Sequence, residues 1–94
     1  MRIDWLLQAR RNLEQEADYL ASKNPDAAHD MLQTIHSAIC LLARQPGIGR
    51  PGRVPGTREL VIQGYPYLVP YRVRGETVEV LRVFHTSRKP PQKW

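Results

Sequence analysis

Through the first half of the chain apolar residues recur at spacings of three and four. Leu6, Ala9, Leu13, Ala17 and Leu20 form one stripe, with Arg11, Glu14, Gln15 and Asp18 on the opposite face. That period predicts an amphipathic helix. Ser22-Lys-Asn-Pro-Asp26 ends it, because proline disfavours helical geometry in the residue before it, while Asn24 is a suitable cap for a new helix with Pro25 at its first position. The second helix carries Ala28, Leu32, Ile35, Ile39 and Leu42 on one stripe, widened by Met31 and Ala38. Two such helices joined by a tight turn predict a helical hairpin. Ahead of it, Arg2 to Trp5 alternates as a short first strand, and Asp4 is a candidate cap for the first helix.

The period then changes. Pro46 to Gly56 is so dense in glycine and proline that it reads as an ordered connector, carrying Arg50 and Arg53. Beyond it, β-branched and aromatic runs from about Arg58 to Gln63, Tyr67 to Arg74 and Thr77 to His85 are separated by turn signals at Gly64-Tyr-Pro66 and at Gly75. These are consecutive hairpin-connected strands. Val80, Leu81, Val83 and Phe84 place apolar residues on both faces of the last run, which suits a central strand. Pro70 cannot donate to a ladder and implies an edge or a bulge in the middle strand. The tail Lys89-Pro-Pro-Gln-Lys-Trp94 has no period and is expected to be irregular, with Trp94 a candidate to dock on the body. The expected class is α+β, an N-terminal strand and a helical hairpin packed on a small, mostly antiparallel sheet. One domain of residues 1–94 is expected, divided into strand 1–5, hairpin 6–45, connector 46–56, strands 57–88 and tail 89–94.

Composition narrows the setting. No apolar run approaches the ~18 residues of a membrane span. The N-terminus lacks the pattern of a signal peptide, and the single cysteine, Cys40, has no partner in the chain, so a soluble protein of the reducing cytoplasm is expected. The net charge of +5 is unevenly placed: residues 1–46 hold five cations and six anions, whereas residues 47–94 hold nine cations and three anions. A basic sheet half points to an acidic partner, nucleic acid or an acidic protein segment. His29 and His36, seven residues apart on the second helix, are expected to be surface histidines, and neither a metal nor a cofactor is expected.

Candidate chemistry is confined to arginines, one strand-end histidine, tyrosines and the hydroxyls of Thr86 and Ser87. Arg58, Arg72, Arg82, His85 and Arg88 are placed so that several could converge on one face or end of the sheet. Arg82 has two readings: a partly buried residue paired with Glu59 or Glu79, or one of a set of guanidiniums that holds phosphates or acidic side chains bidentately. A metal-free ribonuclease would need a base, a cation and an acid. His85 would be the acid or base and Arg58 or Arg82 the cation, but no second acid/base group is evident, since Glu59 points away from its neighbour Arg58.

The segments Gly49-Arg-Pro51, Gly56-Thr-Arg-Glu59, Tyr71-Arg-Val73 and Leu81-Arg-Val-Phe-His85, following two helices joined at an Asn-Pro turn, resemble the RelE/ParE superfamily of bacterial toxins from Trp5 to Arg88. The messenger-RNA-cleaving branch uses a residue in the connector and an arginine on the middle strand. The matching positions here are Gly52 and Leu68, neither of which does that chemistry, and the tyrosine that follows the terminal histidine in some of those nucleases is Thr86. The gyrase-poisoning ParE branch lacks the catalytic set and keeps the Arg-Val-hydrophobic-His run, as this chain does. The resemblance therefore implies a ParE-like toxin that binds and poisons DNA gyrase without breaking bonds itself. The alternative is a RelE-like ribosome-dependent endoribonuclease using His85, Arg82 and Arg58. It also implies an acidic antitoxin whose extended C-terminal region wraps the hairpin and sheet in a hetero-oligomer. Arg50, Arg53, Arg58, Arg72, Arg82, His85 and Arg88 are the residues expected to meet antitoxin or target.

Overall fold

The computed structural model describes residues 1–87. Its elements are β1 (Arg2–Trp5), α1 (Leu7–Ala21), α2 (Pro25–Leu42), β2 (Arg50–Pro51), β3 (Arg58–Val61), β4 (Tyr67–Arg74), β5 (Thr77–Val80) and β6 (Phe84–His85). The expected α+β arrangement of a strand, a helical hairpin and a mostly antiparallel sheet is what forms. The sheet order is β1-β5-β4-β3-β2, with β6 also on β4, and the single parallel pairing joins β1 to β5.

Local chemistry sets the helix ends. Asn24 Oδ1 accepts the Ala27 amide at 3.1 Å and Pro25 opens α2, as the sequence predicts. Asp4 does not cap α1: it lies in β1 opposite Glu79, and the cap position is Leu6, whose side chain makes no capping bond. Leu6 is held from outside, its amide donating to the Val80 carbonyl at 3.1 Å. The α2 stripe of Ala28, Met31, Ile35, Ile39 and Leu42 is buried, and it packs with Ala9, Leu13 and Ala17 of α1 onto Tyr67, Val69, Tyr71, Val78 and Val80 of the sheet. Cores of this kind gain roughly 25 cal/mol per Å² of apolar surface removed from water.

The last predicted strand is broken in two, and Pro70 is the reason. Leu81 donates its amide to the Pro70 carbonyl at 2.9 Å, but proline has no N–H to return, so the β4·β5 ladder stops there. When pairing resumes, Tyr67 faces His85 and Leu68 faces Phe84, a register displaced by one residue from that of Tyr71 with Val80. One extra residue between Leu81 and Val83 makes a bulge. Pro70 itself sits fully buried in a strand paired on both sides. The expectation of an edge or a bulge in the middle strand is thus corrected: that strand is neither, and the extra residue lies in its partner. Its consequence is a change of faces: Val80 and Val83, three apart, both enter the core, and the single strand expected from Thr77 to His85 does not form.

The connector is tied to this core by Tyr71. Its hydroxyl, at the end of a fully buried ring, donates to the Pro46 carbonyl at 2.7 Å and accepts the Gly49 amide at 2.9 Å. A Cβ at Gly49 would come within 2.6 Å of that hydroxyl and 3.0 Å of the Glu59 carbonyl, so only glycine allows the approach. Gly75, at φ +55°, starts the two-residue turn between Arg74 and Thr77, a backbone geometry that favours glycine. Among the described residues no helix is long and apolar enough to cross a membrane. Arg88 and the tail with Trp94 lie outside the described residues.

Tyr71→Phe deletes one hydroxyl and leaves a connector amide and carbonyl without their partner. We expect a loss of about 1–3 kcal/mol in urea unfolding, against about 0.5 kcal/mol or less for Tyr19→Phe on the exposed face of α1. Equal effects of the two substitutions would remove Tyr71 as the tie.

Candidate functional site

Residues directly opposite each other in adjacent strands share a face of the sheet, so the register sorts the candidate side chains. Tyr67, Val69 and Tyr71 of β4 face the helices. Arg58, opposite Tyr71, and His85, opposite Tyr67, lie on that side. The intervening residues of β4 put Arg72 and Arg74 on the other side, in rows with Glu79 and Asp4 and with Thr77 and Arg2. Arg50 joins them there, opposite Glu59, which is itself opposite Pro70. Among the described residues, Arg50, Arg72 and Arg74 therefore lie on the face opposite His85. His85 and Arg58 share a side but stand opposite positions four residues apart on β4, roughly 13 Å along the strand.

The arginines are placed by carboxylates and carbonyls. Glu59, 3% exposed, accepts from Arg50 at 3.3 Å through Oε1 and, through Oε2, from the Arg53 side chain at 3.1 Å and the Arg53 amide at 3.0 Å. Burial alone would raise the Glu59 pKa. The hydrogen bonds and charge of Arg53, with the hydrogen bond of Arg50, outweigh burial and hold it below the ordinary value of 4.5. Glu79 pairs with Arg72 at 2.6 Å and stands 3.7 Å from Arg74. Arg58 donates to the Gly49 carbonyl at 2.8 Å and the Gly47 carbonyl at 3.3 Å. As expected, Glu59 turns away from Arg58. Arg82 is half-buried in the bulge between buried Leu81 and Val83. The outcome is a basic sheet surface whose guanidiniums are held in fixed positions while still reaching solvent. Arg50 remains 56% and Arg74 68% exposed.

His85 belongs to a different place. It lines a cleft of about 360 Å³ with Glu16, Tyr19 and Leu20 of α1, Tyr65, Pro66 and Tyr67 from the β3–β4 turn, and Ser87. Its ring meets Tyr67 edge-on, 5.5 Å between centroids, and its Nδ1 lies 2.7 Å from the Ser87 hydroxyl. Tyr67 reaches Glu16 Oε2 at 3.5 Å, and Glu16 is buried. Sequence reasoning passed over Glu16. The available signal was its position between Leu13 and Leu20 on the apolar stripe. Tyr65 closes the cleft's rim by donating to Asp30 Oδ2 at 2.5 Å, and that bond, then burial, then the Asp30 charge raise its pKa above 10.0.

The cleft is poorly furnished for phosphodiester cleavage. Its described lining includes no arginine or lysine, and the acidic residue it holds is Glu16. Of the two positions that the resemblance matches to nuclease residues, Gly52 has no room for a side chain and Leu68 is a buried apolar residue. A Cβ on Gly52 would fall 2.2 Å from the Thr57 hydroxyl and 2.9 Å from its carbonyl, and Leu68 is buried opposite Phe84.

Comparison with known proteins agrees with this architecture. Residues 3–90 match the family described as ParE toxin of type II toxin-antitoxin system, parDE. The chain is 43% identical to the protein named "Putative toxin Y4kP" of Sinorhizobium fredii (strain NBRC 101917 / NGR234) over 91 residues, 97% of this chain and 94% of that protein. A chain in the solved structure of the chromosomal ParDE TA system from P. aeruginosa superposes with a TM-score of 0.82 at 30% identity, covering 90% of this chain and 95% of that one. The chain belongs to the ParE family of toxins of type II toxin-antitoxin systems, and such a system supplies an antitoxin as its partner.

Two pH dependences follow from the site. Because Glu59 titrates below its ordinary value when folded, its contribution is complete above pH 4.5 and is lost as pH falls through the folded value. The melting-temperature gap between wild type and Glu59→Gln should therefore narrow in acid, and a gap constant with pH would contradict the clamp. Tyr65 has the opposite sense: its raised pKa favours the neutral phenol, a contribution present below pH 10.0 and lost as pH rises through the folded value. Tyr65→Phe should accordingly flatten the alkaline decline in stability, and an unchanged alkaline limb would argue against the Tyr65–Asp30 bond.

Proposed function

We propose that this ParE-type toxin inhibits growth by binding DNA gyrase, cuts no RNA, and is neutralised by a cognate acidic antitoxin. The observation that carries the reading is the environment of His85. A histidine that served as acid or base in RNA cleavage would need a cation within reach of the transferring phosphate. Among its described lining residues the cleft presents Glu16 instead, and the position of Arg58 is roughly 13 Å away along the strand. Gly52 and Leu68 support the same reading, since a side chain at Gly52 would collide with Thr57 and Leu68 is a buried apolar residue.

The basic sheet half supports the partner assignment. Arg50, Arg53, Arg72 and Arg74 are fixed by Glu59 and Glu79 yet reach solvent, an arrangement suited to carboxylates of an acidic segment. Antitoxin and gyrase are proposed to use residues drawn from Arg50, Arg53, Arg58, Arg72, Arg82, His85 and Arg88. A hetero-oligomer with the antitoxin in the cytoplasm is the corresponding assembly. Held by one small domain, this surface acts through occupancy and requires no cofactor.

The purified toxin should inhibit supercoiling by gyrase, release that inhibition on addition of its antitoxin, and leave messenger RNA intact in a translation-coupled assay. Arg82→Ala should weaken growth inhibition at least as much as His85→Ala, because a desolvated interface arginine is commonly worth about 2 kcal/mol or more. Cleavage of messenger RNA without gyrase inhibition would overturn the proposal in favour of an endoribonuclease.

A further inference from the structure

The cleft beside His85 has a chemistry opposite to that of the outer sheet face. Among its described lining residues, Tyr19, Tyr65 and Tyr67 supply aromatic rings, and Glu16, 5% exposed on α1, supplies a carboxyl group. Asp30 stands at the rim, accepting the Tyr65 hydroxyl. His85 adds no cation: the Ser87 amide donates to its Nδ1 at 3.3 Å, so that nitrogen accepts and holds no proton. The volume of about 360 Å³ lies at the lower end of ligand pockets, roughly 300–1,000 Å³. Rings set around a carboxyl group favour positive charge, because the π faces and the oxygens both attract cations. Tyr19 already shows this attraction, with the Lys23 ammonium 5.2 Å from its ring centroid.

We propose that this cleft is a recognition site for the guanidinium of an arginine side chain carried by another polypeptide. A guanidinium is planar, stacks on aromatic faces and presents a fork of donors that matches a carboxylate, whereas an ammonium is a compact, strongly hydrated point charge. In the cleft the fork donates to Glu16 while the plane lies against tyrosine. A carboxylate has about four acceptor sites, enough to receive the fork beside the Tyr67 hydroxyl, which reaches Oε2 at 3.5 Å. The cleft opens on the helix side of the sheet, whereas Arg50, Arg72 and Arg74, which suit carboxylates, lie on the other. The two sides therefore take groups of opposite charge.

Nuclear magnetic resonance of the full chain, titrated with the blocked peptide Ala-Arg-Ala, tests this. The ring signals of Tyr65, Tyr67 and His85 should shift and saturate. The same peptide with citrulline for arginine, similar in shape but uncharged, should leave them in place, and a lysine peptide should bind more weakly. Glu16→Gln should lower the affinity about tenfold, as loss of a hydrogen bond to a charged group does. Glu14→Gln, which removes the same charge from the exposed face of that helix, should change nothing. Should Glu16→Gln fail to fold by circular dichroism, Tyr19→Leu decides: its ring is exposed, and its loss should weaken binding about two- to fivefold. No saturable shift in wild type, equal affinity for the citrulline or lysine peptide, or unchanged affinity in either folded cleft variant would overturn the site. Free arginine binding more tightly than the peptide would overturn a polypeptide as its source. None of these readouts involves gyrase, so the cleft and the proposed target stand or fall separately.

Discussion

A proline in the middle of the central strand controls the shape of this sheet. Pro70 accepts a hydrogen bond from Leu81 and has none to give back, so the neighbouring strand leaves the ladder and rejoins one residue out of step. The displacement decides which side of the sheet each C-terminal residue occupies. In an unbroken register Phe84 would face Tyr67 and His85 would lie on the face away from the helices. With the bulge they exchange places. His85 enters the cleft beside Tyr67 and Glu16, and the arginines of the outer face lose the histidine as a neighbour.

The rest of the sheet's polar chemistry is organised around two carboxylates. Glu59 is buried because it faces Pro70 and lies under the connector, and Arg50 and Arg53 satisfy its oxygens. A buried carboxylate without such partners would be costly, so the connector and β3 are held together by necessity as much as by attraction. Glu79 plays a similar part for Arg72 and Arg74. The basic surface of a ParE-type toxin is thus not a loose collection of charges. Each pair orients guanidiniums while leaving a net excess of positive charge toward solvent.

Much of the candidate surface was legible from the sequence, because arginines between β-branched residues and the segregation of charge need no coordinates to be seen. Glu59 turning from Arg58 follows from strand alternation alone. Other features were not legible. The place of Glu16 on the apolar stripe marks its burial, but its partner Tyr67, 51 positions away, does not show in the sequence. The face of His85 depends on a one-residue displacement that periodicity does not report, since an extra residue in an apolar run leaves the run apolar.

The sequence by itself determined the helical hairpin, the order of the main strands and the class of fold, though not β2 within the connector or the break between β5 and β6: stripes of period 3.6, the Asn24-Pro25 cap, the glycine- and proline-rich connector and the β-branched runs are local properties of the chain. It also carried the family, through residues spread along nearly the whole chain. Tertiary structure alone decided which candidate side chains are neighbours. Strand pairing brings Arg50 to Glu59 and Tyr67 to His85, and the missing hydrogen of Pro70 sets the register in which they meet. Proximity across a sheet is a property of two segments at once, and no single segment encodes it.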